Sequence, residues 1–305
     1  MNKDMNRIIR YISAAVIAVT VFCACEEEYV TYNDAEYIMF ADTLKAYPVQ
    51  QDVAYFSVPV VSTVTCDYDR TFGVEVIDKS SNAIESYHYS IASNTVTIKA
   101  GENRADIQVY GKYDNIEPSD SIGFTLQLVM DDRLEMPMYG KQTKVVLVKS
   151  CPFDINSFTG WCVLTSMFLY DYSIDGRYQR LIYTEKHPTE ENTVICRNWL
   201  QDGYDVTMTF DPSDPLSPIV TMDSDQVASD EGSFFGIVHG DDKILVESSP
   251  YYASYFYPCG SYLYLYAHIY VENLGEPVGT VGHYYNIMEW ISDEEARRLQ
   301  REEGM

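Results

Sequence analysis

Short segments of alternating apolar and polar residues fill most of the chain between residues 36 and 290, and turn residues separate them. The run Phe72-Gly73-Val74-Glu75-Val76 is one example. Since successive side chains of a strand point to opposite faces, this alternation predicts strands with one buried face. About seven such strands before residue 150 favour a β-sandwich. We therefore predict an all-β protein whose first domain is Ig-like.

A second region begins near residue 150, where Pro152 and Gly160 bracket a short connector. Beyond it the predicted strands are longer and more aromatic, and they include 161–172 and 235–239. About eight or nine sequential strands with short turns indicate an antiparallel meander, either a lipocalin-like barrel or a second sandwich. The predicted organisation is a leader (1–24), an acidic tether (25–35), a sandwich (36–150), a barrel-like domain (151–291) and a helical tail (292–305).

The tail is the one segment with helical signals. Ser292 and Glu295 have the spacing of a capping box, in which each side chain bonds the other residue's backbone N–H. Residues 292–303 are polar on nearly every side. The pattern predicts a short, solvated C-terminal helix.

The leader has the charge pattern of an export signal. Lys3, Arg7 and Arg10 precede an uncharged apolar run at residues 11–24. That run is shorter than the roughly 20 residues that a membrane-spanning helix needs. A basic start followed by an apolar run of this length is typical of a secretory signal peptide.

The end of the leader, Phe22-Cys23-Ala24-Cys25, resembles the bacterial lipobox. The resemblance implies cleavage before Cys25, a lipid on that cysteine and attachment to a membrane. Phe22 and Cys23 depart from the usual residues, and a plain signal peptide is the alternative.

An acidic run, Glu26 to Glu28, follows Cys25 and resembles the surface-export signal of Bacteroidetes lipoproteins. It implies an outer-membrane lipoprotein exposed at the cell surface. The alternatives are a flexible tether with no sorting role and a lipoprotein that faces the periplasm.

The charge of the chain is strongly negative, with 21 basic and 46 acidic residues. Removal of residues 1–24 takes away three basic residues and one acidic residue, which leaves a net charge of −27. Such a charge repels phosphate backbones and anionic membrane surfaces. We therefore expect no nucleic-acid partner, and a membrane contact made through the lipid rather than the protein surface.

The N-terminal domain resembles a Calx-β-type sandwich. The resemblance rests on HYSI at 88–91, NTVTIKAGE at 94–102, ADIQV at 105–109 and FTLQL at 124–128. Some members of that family bind calcium through clustered acids. Asp114, Glu117 and Asp120 occupy the corresponding loop but lack the spacing of a defined calcium loop. We predict no metal and no cofactor.

The C-terminal domain resembles the barrel-like domains of uncharacterised Bacteroidetes lipoproteins. The resemblance rests on GWCVLTS at 160–166, NTVICRNWL at 192–200, VTMTFD at 206–211 and QVA at 226–228. Such proteins often accompany starch-utilisation-type glycan uptake systems. The resemblance implies an accessory role beside an outer-membrane transporter.

Five cysteines remain when Cys23 and the lipid-site Cys25 are set aside, and their spacings match no zinc motif. The number is odd, so at least one is free or paired outside the chain. Cys162 and Cys196 lie in predicted strands and could pair, because exported proteins form disulfides. The alternative is that both are small buried hydrophobes.

One predicted strand has aromatic residues at every second position. Its aliphatic residues form the opposite face and are expected in the core. Tyrosine rings can stack on sugars while their hydroxyls form hydrogen bonds, so the aromatic face is a candidate glycan platform. The alternative is packing of aromatic side chains across strands or inside a barrel. The candidate residues are Tyr262, Tyr264, Tyr266, His268 and Tyr270, with Tyr251, Tyr252, Tyr255 and Tyr257 just upstream and Trp199 beside a turn.

No GxSxG, HExxH or P-loop motif occurs in the sequence, and we assign no catalytic residue. Carboxylates are too abundant for a glycosidase pair to be located. Our leading hypothesis is a surface-tethered, non-catalytic lipoprotein that binds a polysaccharide or host glycan. The alternative is a structural or adhesive lipoprotein that contacts outer-membrane proteins, and a glycoside-active enzyme is a weaker third hypothesis.

Overall fold

The computed structural model describes residues 35–119, 121–173, 176–302 and 304. Cys25, the leader and the acidic tether lie outside these residues, as does Asp120. Strands make up most of the regular secondary structure of the described residues, which confirms the all-β prediction. None of the described helices is both long and apolar enough to cross a membrane.

The first half of the described chain forms two sheets that face each other. One has the order β1-β3-β7-β5 and the other the order β2-β9-β8-β4-β6. Strands β2 and β9 pair in parallel, and the other pairs are antiparallel. The strands are β1 (Ile38–Phe40), β2 (Leu44–Val49), β3 (Phe56–Ser62), β4 (Arg70–Val76), β5 (Tyr89–Ile91), β6 (Thr95–Ile98), β7 (Arg104–Gly111), β8 (Ile122–Val129) and β9 (Gln142–Lys149).

The core of this sandwich lies between the two sheets, where the alternation places the apolar residues. Phe124, Leu126 and Leu128 of β8 are fully buried. The ring of Phe124 stacks on Tyr89 of the other sheet at 3.7 Å between centroids. The period-two pattern read from the sequence therefore supplies the side chains that hold the sheets together.

The second half forms a closed antiparallel barrel of eight strands. Their order is β18-β17-β14-β13-β12-β11-β10-β19, and the pairing of β19 with β18 closes the circle. Two further strands, β15 and β16, extend from the C-terminal part of β18. The strands are β10 (Gly160–Ser166), β11 (Gln179–Lys186), β12 (Thr193–Arg197), β13 (Val206–Asp211), β14 (Ile219–Thr221), β15 (Gln226–Ser229), β16 (Ile244–Ser248), β17 (Tyr255–Tyr257), β18 (Tyr262–Asn273) and β19 (Glu276–Trp290).

Aliphatic and phenylalanine side chains fill the interior of the barrel. Phe158, Phe210 and Phe256 pack against one another with ring centroids 4.8 to 5.4 Å apart. A filled interior gives the barrel a rigid wall, on which exposed side chains are held in place.

Two predicted strands of this region are wrong in part. The strand predicted at 161–172 ends at Ser166, and the chain continues as helix α1 (Met167–Tyr172). The strand predicted at 235–239 is absent. Helix α2 (Glu231–Phe235) ends where that strand is predicted to begin, and the buried carboxylate of Glu231 accepts hydrogen bonds from the backbone N–H groups of the turn that follows.

The C-terminal helix, α3 (Asp293–Glu302), begins as predicted, since Ser292 Oγ accepts a hydrogen bond from the Glu295 N–H at 3.2 Å. The expectation of a fully solvated tail is wrong. Ala296 and Leu299 are buried, and the helix packs beside β10. A small residue and one leucine a turn apart suffice for this contact, although the rest of the helix is polar.

Among the described cysteines, Cys151 and Cys259 form a disulfide. It ties the connector between the two domains to the turn between β17 and β18. The suggested pairing of Cys162 with Cys196 is wrong, because both are free and buried. They lie on β10 and β12, which are separated by β11, so their backbones are roughly 10 Å apart and beyond disulfide reach.

Candidate functional site

Strand β18 has two unlike faces. Its inner residues Leu263, Leu265, Ala267 and Ile269 are fully buried in the barrel. The alternate residues point outward, so tyrosines of this strand do not fill the barrel interior. The outer side chains from Tyr262 to His268 are partly exposed, and Tyr264 is 38% exposed.

Neighbouring strands widen this row into a surface. On one side, β17 places Tyr255 opposite Tyr264 and Tyr257 opposite Tyr262. On the other side, β19 places Tyr285 opposite Tyr266. We call this surface the tyrosine face and define it as Tyr251, Tyr252, Tyr255, Tyr257, Tyr262, Tyr264, Tyr266, His268, His283 and Tyr285.

Contacts between the rings hold the tyrosine face in order. The rings of Tyr264 and Tyr285 are nearly parallel with centroids 5.7 Å apart, and Tyr266 contacts Tyr285 at 5.1 Å. Tyr252 lies 5.1 Å from Tyr266. Each such aromatic pair contributes roughly 0.5–1.5 kcal/mol beyond the burial of its area. The rings are therefore arranged before any ligand arrives.

The two histidines of the face are stacked, with ring centroids 4.6 Å apart. His268 donates through Nδ1 to Glu247 Oε1 at 2.8 Å, and its Nε2 lies 3.1 Å from Thr280 Oγ1. His283 Nδ1 lies 3.1 Å from Ser249 Oγ. Burial and the neighbouring His268 hold the pKa of His283 below its usual value. This part of the face thus presents a neutral imidazole at neutral pH.

A shallow depression of about 340 Å³ lies at one end of the tyrosine face. Tyr255, Tyr257, Tyr262 and Tyr264 form one wall, and the turn at residues 216–218 forms the other. This end adjoins the sandwich domain, because Tyr257 Oη donates to the Pro118 carbonyl at 2.7 Å. The nearby disulfide at Cys259 fixes the same turn.

Tyr270 does not belong to the accessible surface, which corrects the prediction from the sequence. Its side chain is buried, and its hydroxyl donates to Asp225 Oδ1 at 2.9 Å and accepts from the Asp225 N–H at 3.2 Å. Burial, more than this hydrogen bond, raises the pKa of Tyr270. The aromatic row available to a ligand therefore ends at His268.

The prediction that Trp199 contacts a ligand is also wrong. Its side chain is fully buried in the barrel core, so it offers no ring face to a ligand at the surface. The position of Trp199 beside a turn predicts an exposed side chain. In the structure the chain leaves β12 so that this side chain points into the barrel. Sequence reasoning missed Tyr285 and the stacking role of His283. These two residues lie two positions apart on β19, so their side chains share one face of the strand. Their position beside β18 depends on the register of the β18–β19 pairing.

Acidic side chains are common around the barrel, but they do not converge. Within the described ranges, no group of three or more His, Cys, Asp or Glu side chains is arranged to hold a metal ion. The chemistry that the tyrosine face offers is stacking on ring planes and hydrogen bonding through hydroxyls and carboxylates.

The C-terminal half of the chain matches a known sequence family. The profile described as a domain of unknown function, DUF4984, matches residues 138–302, which is more than half of the chain. The chain belongs to this family. The DUF4984 match starts just before the last sandwich strand and includes the whole barrel and α3, so the tyrosine face lies within it.

A search of curated proteins gives no significant match to this DUF4984 chain. Among solved structures, a Bacteroides ovatus protein of unknown function is similar at 14% identity over 86% of this chain and 91% of that chain, with a TM-score of 0.34. An auxiliary nutrient binding protein from Bacteroides thetaiotaomicron is similar at 15% identity over 81% and 89%, with a TM-score of 0.31. TM-scores of this size do not establish a common fold.

Proposed function

We propose that this DUF4984 protein is a non-catalytic module that binds a polysaccharide or host glycan through the tyrosine face, as an accessory to an outer-membrane uptake system. One observation carries the proposal. A contiguous set of tyrosines covers the outside of β17, β18 and β19 and the loop before β17, where Tyr251 is 75% exposed, although the barrel needs none of these rings for its core.

The chemistry of tyrosine suits a sugar ligand. A pyranose ring has a C–H face that stacks on an aromatic plane and a rim of hydroxyls that need hydrogen-bond partners. The tyrosine face supplies ring planes, phenol groups and the Ser249–His283 pair within one surface. Its shallow form suits an extended chain that lies across the strands better than a small ligand that must be enclosed.

Affinity electrophoresis in gels that contain soluble polysaccharides tests this proposal. We expect at least one polysaccharide to retard residues 26–305, and the double variant Tyr255→Ala/Tyr264→Ala to lose that retardation. Tyr183→Ala is the matched control, because Tyr183 lies on β11 of the same barrel and is 43% exposed, against 44% for Tyr255.

Equal loss in the Tyr183→Ala control would show a general effect of tyrosine removal and not a site. No retardation by any polysaccharide in a broad panel would contradict the proposal.

We also propose that a lipid on Cys25 holds the protein at the outer membrane, exposed at the cell surface. The proposal is supported by the leader, the lipobox-like residues and the acidic run that follows them. Metabolic labelling with a palmitate analogue should be lost in Cys25→Ser and retained in Cys23→Ser. Labelling that persists in Cys25→Ser would contradict it.

A second candidate function, contact with an outer-membrane protein, is favoured by a separate surface. Ile237, Val238, Leu274 and Val278 are exposed apolar residues around the end of the barrel. Val278 also lines a cleft of about 490 Å³ together with Phe234 and Phe235. Exposed apolar patches of this kind mark interaction sites. Co-purification of a stoichiometric outer-membrane protein that Leu274→Asp abolishes, without any effect of sugars, would favour this function.

A further inference from the structure

We infer that the tyrosine face selects uncharged glycans and rejects glycans that carry carboxylates or sulfates. This inference rests on the proposed function, since it specifies which class of sugar the same surface takes. It is carried by the distribution of charge on the strands and turns that form the face.

No lysine or arginine occurs from Ile244 to Ala296. This stretch contains β16, β17, β18 and β19 and the turns that join them, and thus every residue of the tyrosine face. Lys243 borders the stretch, but β16 pairs Ile244 with Val271. Lys243 therefore lies at the far end of β18, about 23 Å along the strand from Tyr264.

Acidic side chains do lie beside the face. Glu289 is exposed and sits opposite Tyr262 in the β18–β19 ladder, so its side chain flanks the outer row. On the other flank, Glu247 is partly exposed and pairs with His268. An anionic sugar on this surface would meet a carboxylate on either side.

Recognition of an anion requires donors that carry positive charge or converge on it, usually arginine or lysine. The tyrosine face has neither residue type. Its two imidazoles do not replace them, because His283 stays neutral near neutral pH and His268 donates its Nδ1–H to Glu247. Carboxylates and phenol oxygens instead accept hydrogen bonds from sugar hydroxyls, which are donors in an uncharged glycan.

A matched pair of polymers tests the inference. A neutral polysaccharide that retards the protein is oxidised at its primary alcohols to carboxylates, which adds charge and keeps the backbone. We expect the oxidised polymer to bind at least about tenfold more weakly at moderate salt. The variant Glu289→Lys should recover part of that binding, whereas Glu276→Lys, with the same charge change near the tip of the β18–β19 hairpin, should not.

The possible failures are distinct. If no polymer of either kind is retarded, the proposed function fails and the inference falls with it. If only anionic polymers are retarded, and Tyr255→Ala/Tyr264→Ala abolishes this, glycan binding stands and the selection for uncharged glycans is overturned. If oxidation weakens binding equally in the wild type and in Glu289→Lys, the lost alcohol is responsible, and the charge argument is overturned.

Discussion

The two faces of β18 differ in what their side chains contact, although they share one backbone. The inner face packs Leu263, Leu265 and Ile269 into a core from which water is excluded. The outer face carries rings that touch one another and remain partly in solvent. Successive residues of β18 therefore have different roles: one stabilises the barrel and the next is available to a ligand. Inner substitutions should change stability, and outer substitutions should change binding.

The largest expected effect is on the inner face. Leu265→Ala removes a fully buried side chain and leaves a cavity in a packed barrel. We expect the free energy of unfolding to fall by about 3 kcal/mol. Urea denaturation followed by tryptophan fluorescence measures it. Binding to a glycan, expressed per folded molecule, should be unchanged.

Tyr264→Ala is the counterpart of that variant on the outer face. A decrease in unfolding free energy as large as that of Leu265→Ala would contradict the division between the faces. It would mean that the ring contacts of Tyr264 with Tyr262 and Tyr285 are needed for the fold itself.

A smaller effect is expected at Tyr270, the exception on the outer face. Tyr270→Phe keeps the buried ring and removes the hydroxyl that bonds Asp225. Since Asp225 is exposed and can bind water instead, we expect a loss of about 1 kcal/mol in unfolding free energy and no loss of glycan binding. A loss of binding in this variant would extend the ligand surface beyond His268.

The smallest effect is a dependence of stability on pH through His283. Its pKa is lower in the folded protein, so below about pH 6.5 the unfolded chain binds the proton more readily. The contribution of His283 to stability is therefore complete above that pH and decreases as the pH falls. Urea midpoints at pH 7.5 and pH 5.5 should differ less in His283→Gln than in the wild type.

His187→Gln, in the turn between β11 and β12, is the control for this measurement. If His283→Gln leaves the pH profile as steep as His187→Gln does, the titration that weakens the fold belongs to other groups.

The sequence alone predicted much of the architecture. Alternation placed β8, β13 and the start of β18 near their observed positions, and it separated the tyrosines of β18 from its aliphatic residues. The sequence pattern does not predict the short strands β15 and β17, because neither segment shows a clear period on its own. The sequence pattern predicts strand where helix α1 lies, because its aromatic residues continue the run of β10.

The candidate site depended more strongly on tertiary structure. Tyr264 and Tyr266 were proposed from their period, but Tyr285 joins them only because β19 pairs with β18 in one register. Tyr270 and Trp199 were proposed on local grounds, and both are buried by elements far away in the sequence. Local pattern gives the direction of a side chain relative to its own strand, not what covers it.

The sequence by itself thus determined most of the strands, their two-faced character and the absence of basic residues around the tyrosines. Only the tertiary structure decided that the barrel closes through β19, that Cys151 pairs with Cys259, and where the exposed part of the aromatic row ends. The physical reason is the range of the interactions. Alternation follows from the geometry of one strand, whereas closure, pairing and burial depend on the contacts of segments that lie far apart in the chain.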